Sequence, residues 1–250
     1  MFKHETQVIK FLLQWYSMNA RKLPWRKKNN LNLPHPYFVF VSEYMLQQTT
    51  VNTVKNKFNE FILKWPSLNK LAQTSEPNIL KFWSGLGYYS RARNLLRSAK
   101  IIHKNFKNNI PKTYDELIQL PGIGDYTAKA ILGIGYNKSV MPLDANIERI
   151  LVRLHAIDKP INKVKNKLKD LGKKFISDKY SSNLIQSFMD YGSEICLPRN
   201  PKCNICGINK FCQSYKKNLQ QKIPLKLKKK TTKPIKLSLI HISEPTRQEA

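Results

Sequence analysis

The sequence predicts an all-α protein on three observations. Strand-like alternation of apolar and polar residues is almost absent. Apolar residues recur instead at spacings of three and four. Pro66, Gly85, Gly87, Pro111, Pro121 and Pro142 fall between those runs, where helix connections belong.

Taken in order, the N-terminal segment MFKHETQVIKFLLQWY reads as an amphipathic helix with Ile9, Leu12, Leu13 and Tyr16 on one side. Its mixture of acid, base and apolar residues is not that of a signal peptide. Met45–Trp65 is a second helical run, carrying Val51, Val54, Phe58, Phe61 and Ile62. Tyr88–Phe106 is a third. Ala92, Leu95, Ala99, Ile102 and Phe106 share one face, with Arg91, Arg93, Arg97, Lys100 and Lys104 on the far side. Ile147–Leu154 is a fourth, through Ile147, Ile150, Leu151 and Leu154. After Cys212 the pattern fails. Residues 216–250 read as a basic, disordered tail, within which 237–247 (LSLIHISEPTR) resembles the translation of a sequencing-library adaptor.

The 250 residues hold 44 Lys and Arg against 16 Asp and Glu, a formal charge of +28, with 41% hydrophobic residues to build a core. Self-repulsion of that charge points to a polyanionic partner, although an AT-rich coding sequence accounts for part of it. DNA, RNA and an anionic membrane surface all qualify. No apolar stretch approaches the ~20 residues of a spanning helix. A cytoplasmic protein follows, whose four cysteines are not a disulfide framework.

Those cysteines, Cys196, Cys203, Cys206 and Cys212, have the pattern C-x6-C-x2-C-x5-C. At that density they hold a metal: zinc, or a [4Fe–4S] cluster on four thiolates. Arg199, Lys202 and Lys210 stand among them and offer charge to phosphates. About 70 residues earlier lies LPGIGDYTA, in which Gly122 and Gly124 permit a tight turn and close backbone approach. The helix that follows presents free N–H groups to a phosphate.

Two carboxylates stand out among few. Glu43 has apolar neighbours on both sides in VSEYMLQQT, so desolvation should raise its pKa and suit a general acid. The competing reading is a Glu in a first helical turn, stabilised by the helix dipole. Asp144 in PLDANI is a candidate N-cap for the Ile147 helix, whose N–H groups would keep it ionised. Such a pair, an acid for a leaving group and an anion for a sugar cation, is what breaking a glycosidic bond requires.

These segments, with GLGYYSRARNL at 85–95 and LDANIERI at 143–150, resemble the MutY-type adenine DNA glycosylases of the endonuclease III superfamily, from about Ile9 to Cys212. The resemblance implies a helix–hairpin–helix DNA glycosylase fold with two helical lobes and a [4Fe–4S] cluster loop. One lobe would be a helical barrel over 23–136; the other would join 1–22 to 137–215. It implies that Glu43 protonates adenine N7 and that Asp144, with Asn146 beside it, acts as a stabiliser of the sugar cation or as a transient nucleophile. The residue after Asp144 is Ala145, where the family usually has Gly. Tyr126 stands where lyase relatives carry their Schiff-base lysine, so hydrolysis without efficient strand nicking is expected. Lys129, one turn on, leaves room for weak lyase activity.

By the same resemblance, Arg21, Leu23, Trp25 and Arg26 form the entrance of an adenine pocket, beyond which an Asn-rich loop is longer than usual. Gln186 meets the adenine edge. Gln48 and Thr49 lie at the 8-oxoguanine partner, and Leu46 and Gln47 before them belong to the substrate- and DNA-binding set. Leu86 and Tyr88 belong to the segment that wedges the stack, core packing being the alternative for one of Tyr88 and Tyr89. Gly122 and Gly124 hold phosphate. The implied partner is double-stranded DNA containing A:8-oxoguanine or A:G, bound by a monomer at the bacterial nucleoid, not a membrane. Family members carry a further C-terminal domain that checks 8-oxoguanine; none fits after Lys216, so the chain reads as C-terminally truncated, with weaker discrimination. Three alternatives stand: a bifunctional glycosylase/lyase, a non-catalytic DNA-binding module, and a zinc-bound RNA-binding protein.

Overall fold

The computed structural model describes residues 3–225, so the adaptor-like segment 237–247 lies outside the described residues. Those residues form helices and no strand; a lone bridge pairs Lys28 with Pro34 in the Asn-rich loop. Helix α1 (Lys3–Asn19) buries Glu5, Val8 and Leu12, a face turned slightly from the one centred on Ile9 and Leu13.

The run predicted over Met45–Trp65 is two helices. α2 (Pro36–Leu46) begins with Pro36 in its first turn, and His35 Nδ1 accepts the N–H of Tyr37. It ends at Leu46; Gln48 then takes a left-handed backbone with φ of 56°. Thr50 restarts the chain as α3 (Val51–Lys64) by accepting the N–H of Thr53. Apolar spacing runs through the break, so periodicity cannot report it.

α2 is buried on nearly every side and packs against α3, α6 and the segment after α8. Any carboxylate placed there leaves water. α4 (Leu68–Ala72) and α5 (Glu76–Trp83), capped by Ser67 and Ser75, cover α6 (Ser90–Asn105). Arg91 of α6 is only 5% exposed, so it does not belong to the basic outer face on which the apolar periodicity put it. It turns inward because unpaired carbonyls at the end of α2 await a donor there.

α7 (Tyr114–Ile118) leads through Leu120–Gly124 into α8 (Asp125–Ala130), which continues as a wider π turn over Ile131–Gly135. α9 (Ala145–Leu154) and α10 (Lys165–Lys173) follow. α11 (Ser181–Glu194) packs on α1, α9 and the π turn, and α12 (Gln213–Lys216) closes on α9. The described chain stays packed from Lys216 to Ile223, where a tail was expected; residues 226–250 lie outside the described residues. Ile223 is 1% exposed and its carbonyl accepts Nε of Arg153 at 2.8 Å. A single apolar cluster runs through these elements.

Candidate active site

A cleft of about 410 Å³ opens between α2, α8, the start of α9, α11 and the segment 21–26. It brings together Arg21, Leu23, Trp25, Arg26, Glu43, Leu46, Gln47, Thr49, Tyr126, Asp144, Asn146 and Gln186 from the predicted set. Val39, Ser42, Val51, Ile134, Ala145 and Met189 complete its wall; apolar or small, they carry no chemical signal in the sequence. Gln48, Leu86, Tyr88, Gly122 and Gly124 do not line it.

Glu43 lies in the third turn of α2, so the reading of it as a first-turn, dipole-stabilised residue is dropped. It is 7% exposed. Burial, then the charge of Asp144, pushes its pKa up to about 8, against a hydrogen bond from Tyr126 that acts the other way. The Tyr126 hydroxyl is itself held far above its ordinary range by burial and by the two carboxylates, so it stays a donor. Asp144 N-caps α9, accepting the N–H of Ile147 at 2.7 Å and Nδ2 of Asn146 at 2.8 Å. Those bonds were expected to keep it ionised. Burial outweighs them and raises its pKa, while the Ile147 N–H, Asn146 and Arg149 limit the rise. Ala145 opens α9 without a left-handed backbone, so the missing glycine does not distort the turn.

Asn146 is oriented by Arg149. The guanidinium can only donate, and its Nη2 meets Asn146 Oδ1 at 2.8 Å; the amide N–H₂ is thereby left facing Asp144. Arg149 also donates to the carbonyls of Gly192 at 2.6 Å and Cys196 at 2.7 Å. Gly192 permits this fit, since a Cβ there would lie 2.6 Å from Asn146 Cβ and 3.2 Å from its Cα.

At the mouth, Arg21 and Arg26 converge on Asp190, which is 0% exposed. Arg26 grips it with two parallel bonds of 2.7 and 2.8 Å, and Arg21 Nε adds one of 2.6 Å. Burial alone would raise the Asp190 pKa; Arg26 and then Arg21 hold it below the ordinary value. Sequence reading missed Asp190, 164 residues from Arg26. Trp25 packs edge-on against Phe58. Gln186 is 2% exposed, its Nε2 donates to Ser182, and its Oε1 has no partner among the described residues.

Beside the cleft, Gln47 Nε2 donates to the carbonyl of Gly122 at 3.2 Å. Gly122 has φ of 80° and sits against Asn94 and Tyr44, so a side chain there would be strained and crowded. Gly124 N-caps α8 and is exposed. Tyr88 and Tyr89 are 61% and 43% exposed, so neither is a core residue. Leu86 is buried. Lys129 does not share the Tyr126 cleft: it lines a different pocket and pairs with Asp125 at 2.7 Å.

The four cysteines are free, partly buried thiols around one cavity. Among the described residues no three His, Cys, Asp or Glu side chains meet closely enough to hold a single ion. The donor set is four sulfurs with buried partners: Arg153 Nη1 donates to Cys196 Sγ at 3.3 Å and the Tyr191 hydroxyl to Cys206 Sγ at 3.2 Å. That set fits a thiolate-bound cluster. Arg199, Lys202 and Lys210 are exposed around it. No helix among the described residues is long and apolar enough to cross a membrane.

Residues 41–174 match the HhH-GPD superfamily of base excision DNA repair proteins. The chain is 43% identical over 221 residues to the adenine DNA glycosylase of Buchnera aphidicola subsp. Baizongia pistaciae, covering 88% of this chain and 61% of that one. It is 38% identical over 212 residues to the adenine DNA glycosylase of Rattus norvegicus, covering 82% and 41%. It thus spans about three fifths of the length of the Buchnera relative. A thermostable thymine-DNA glycosylase superposes with a TM-score of 0.76 at 25% identity, over 86% of this chain and 98% of that one. Endonuclease III in a non-covalent DNA complex superposes with 0.68 at 19% identity, over 88% and 100%.

Proposed function

The chain belongs to the HhH-GPD superfamily of base excision DNA repair proteins, and from that premise we propose that it is a monofunctional adenine DNA glycosylase. The observation that carries this is one cleft holding a buried acid at Glu43, a capped carboxylate at Asp144 and a neutral phenol at Tyr126.

The flipped adenine enters between Trp25, Val39 and Met189. Gln186 Oε1, buried and without a partner among the described residues, accepts from the exocyclic amine, and its unpaired state is relieved by substrate. Glu43, protonated below about pH 8, gives its proton to N7 and makes the base a neutral leaving group. Tyr126 then donates to the carboxylate left behind. As the C1′–N9 bond breaks, positive charge develops on the sugar, and the Asp144 carboxylate stabilises it. Asn146, fixed by Arg149, aims that carboxylate. Water completes the hydrolysis. Tyr126 cannot form an imine, and Lys129 is engaged elsewhere, so no strand cleavage follows.

Tyr88 wedges the stack, Gln48 and Thr49 meet 8-oxoguanine or guanine opposite the adenine, and the Gly122–Gly124 turn holds phosphate. The lobes are 23–136 and 1–22 joined to 137–215, and DNA lies across the cleft. Cys196, Cys203, Cys206 and Cys212 would hold a [4Fe–4S] cluster, whose part would be structural, fastening the loop that carries these four residues. The protein acts as a monomer on chromosomal DNA in the bacterial cytoplasm.

The test is base release from duplexes with adenine opposite 8-oxoguanine, guanine or thymine, with and without alkali. Release opposite the first two, with strand cleavage only after alkali, is expected. Cleavage without alkali, or release of a pyrimidine instead, refutes the reading.

A further inference from the structure

We propose that Arg91 is a positioning residue that locks the segment facing the opposite base to the segment carrying the wedge, and thereby sets discrimination between partner bases. This rests on the assignment of Gln48, Thr49 and Tyr88 just made. The guanidinium is buried and, among the described residues, has no carboxylate partner. It is surrounded by oxygens from two segments instead. Nη1 donates to the carbonyls of Met45 at 2.8 Å, Tyr44 at 3.3 Å and Gln47. Nη2 donates to Thr49 Oγ1 at 2.9 Å and to the carbonyls of Leu86 at 2.8 Å and Gly87 at 3.2 Å. Its plane lies near the rings of Trp83 and Tyr88, at 5.6 and 5.5 Å.

The consequence is mechanical. Gln48 and Tyr88 both hold left-handed backbones, with φ of 56° and 46°. For residues with side chains that conformation persists only where neighbours over-determine it. Arg91 bonds on either side of Gln48 and to the residue before Tyr88, so one side chain supports both strained positions. A flat fork of donors can span two segments at once. A lysine ammonium keeps the charge but cannot fill both.

The experiment compares wild type, Arg91→Lys and Arg93→Lys, the last altering the neighbouring exposed pair with Glu76. Single-turnover adenine release is measured opposite 8-oxoguanine and opposite guanine, with melting temperature and amide hydrogen exchange. Arg91→Lys should change the ratio of the two rates by about tenfold, the low end of what one hydrogen bond to a charged donor is worth. Exchange should accelerate together at 46–50 and 85–89 and stay unchanged in α9. Arg93→Lys should leave the ratio alone. An unchanged ratio with both rates falling as the protein loses stability overturns the proposal, as does faster exchange in only one segment. Were the wild type to release no adenine at all, the functional assignment would fail; the exchange arm would still uphold the lock if both segments loosen and overturn it if neither does.

Discussion

Replacing Glu43 with Gln should abolish base release and change stability by an amount that depends on pH, the variant gaining on wild type as pH rises. Burial and then Asp144 raise this acid from 4.5 to about 8. The folded chain therefore keeps a proton that the unfolded chain releases in between. Stability must fall as pH rises from about 4.5 to about 8 and level off above. At about 1.36 kcal/mol per pH unit, the acid costs the fold roughly 3 kcal/mol at pH 7 and under about 1 kcal/mol at pH 5. Gln keeps a carbonyl for the Tyr126 hydroxyl and has no proton to exchange. Burying its N–H₂ adds a penalty of about 1–3 kcal/mol that is the same at every pH. The slope is thus the diagnostic. Urea denaturation at pH 5, 6, 7 and 8 should show the variant gaining on wild type by about 2–3 kcal/mol between pH 5 and 7. A pH-independent difference, or a variant that loses ground as pH rises, would refute the reasoning.

The rate of adenine release in wild type should fall as pH rises through about 8, where Glu43 deprotonates. It should also fall on the acid side at a higher pH than an exposed aspartate would give, because burial raises Asp144; both limbs belong to the pair. Gly192→Ala forces a Cβ to within 2.6 Å of Asn146 Cβ and must shift the start of α9. We expect a loss of about 1–3 kcal/mol in chemical denaturation and a rate reduced by up to about 100-fold from the misplaced Asp144. Arg149→Met strands the carbonyls of Gly192 and Cys196 and frees Asn146 to turn. It should cost about 2–4 kcal/mol and slow base release, while a gel shift on an uncleavable duplex stays near wild type.

The chemistry was more legible than the supports that aim it. Residue type and neighbours single out Glu43, Asp144 and the cysteines but leave their roles open, and the resemblance to the MutY-type glycosylases supplies them; the structure places both carboxylates in one cleft. What sequence could not show is long-range or local to a helix end. Arg91 sits on a basic stripe by periodicity, and it is the carbonyls at the end of α2, 44–47 residues away, that draw it inward. The break at Gln47–Thr50 is invisible because apolar spacing continues through it; a Thr cap and one left-handed residue decide it. Asp190 reads as an ordinary helical acid until Arg21 and Arg26 fold back over it. Helical propensity says nothing about Gly192, whose missing Cβ matters only once Asn146 lies against it.

Catalysis turns on a proton passing from Glu43 to the N7 of an extruded adenine. The most direct test is a duplex in which 7-deazaadenine, which offers a C–H in place of that nitrogen, stands opposite 8-oxoguanine. It should bind about as tightly as the adenine duplex and release no base under single-turnover conditions. Release at a rate close to that of adenine would mean that no such proton transfer drives the reaction.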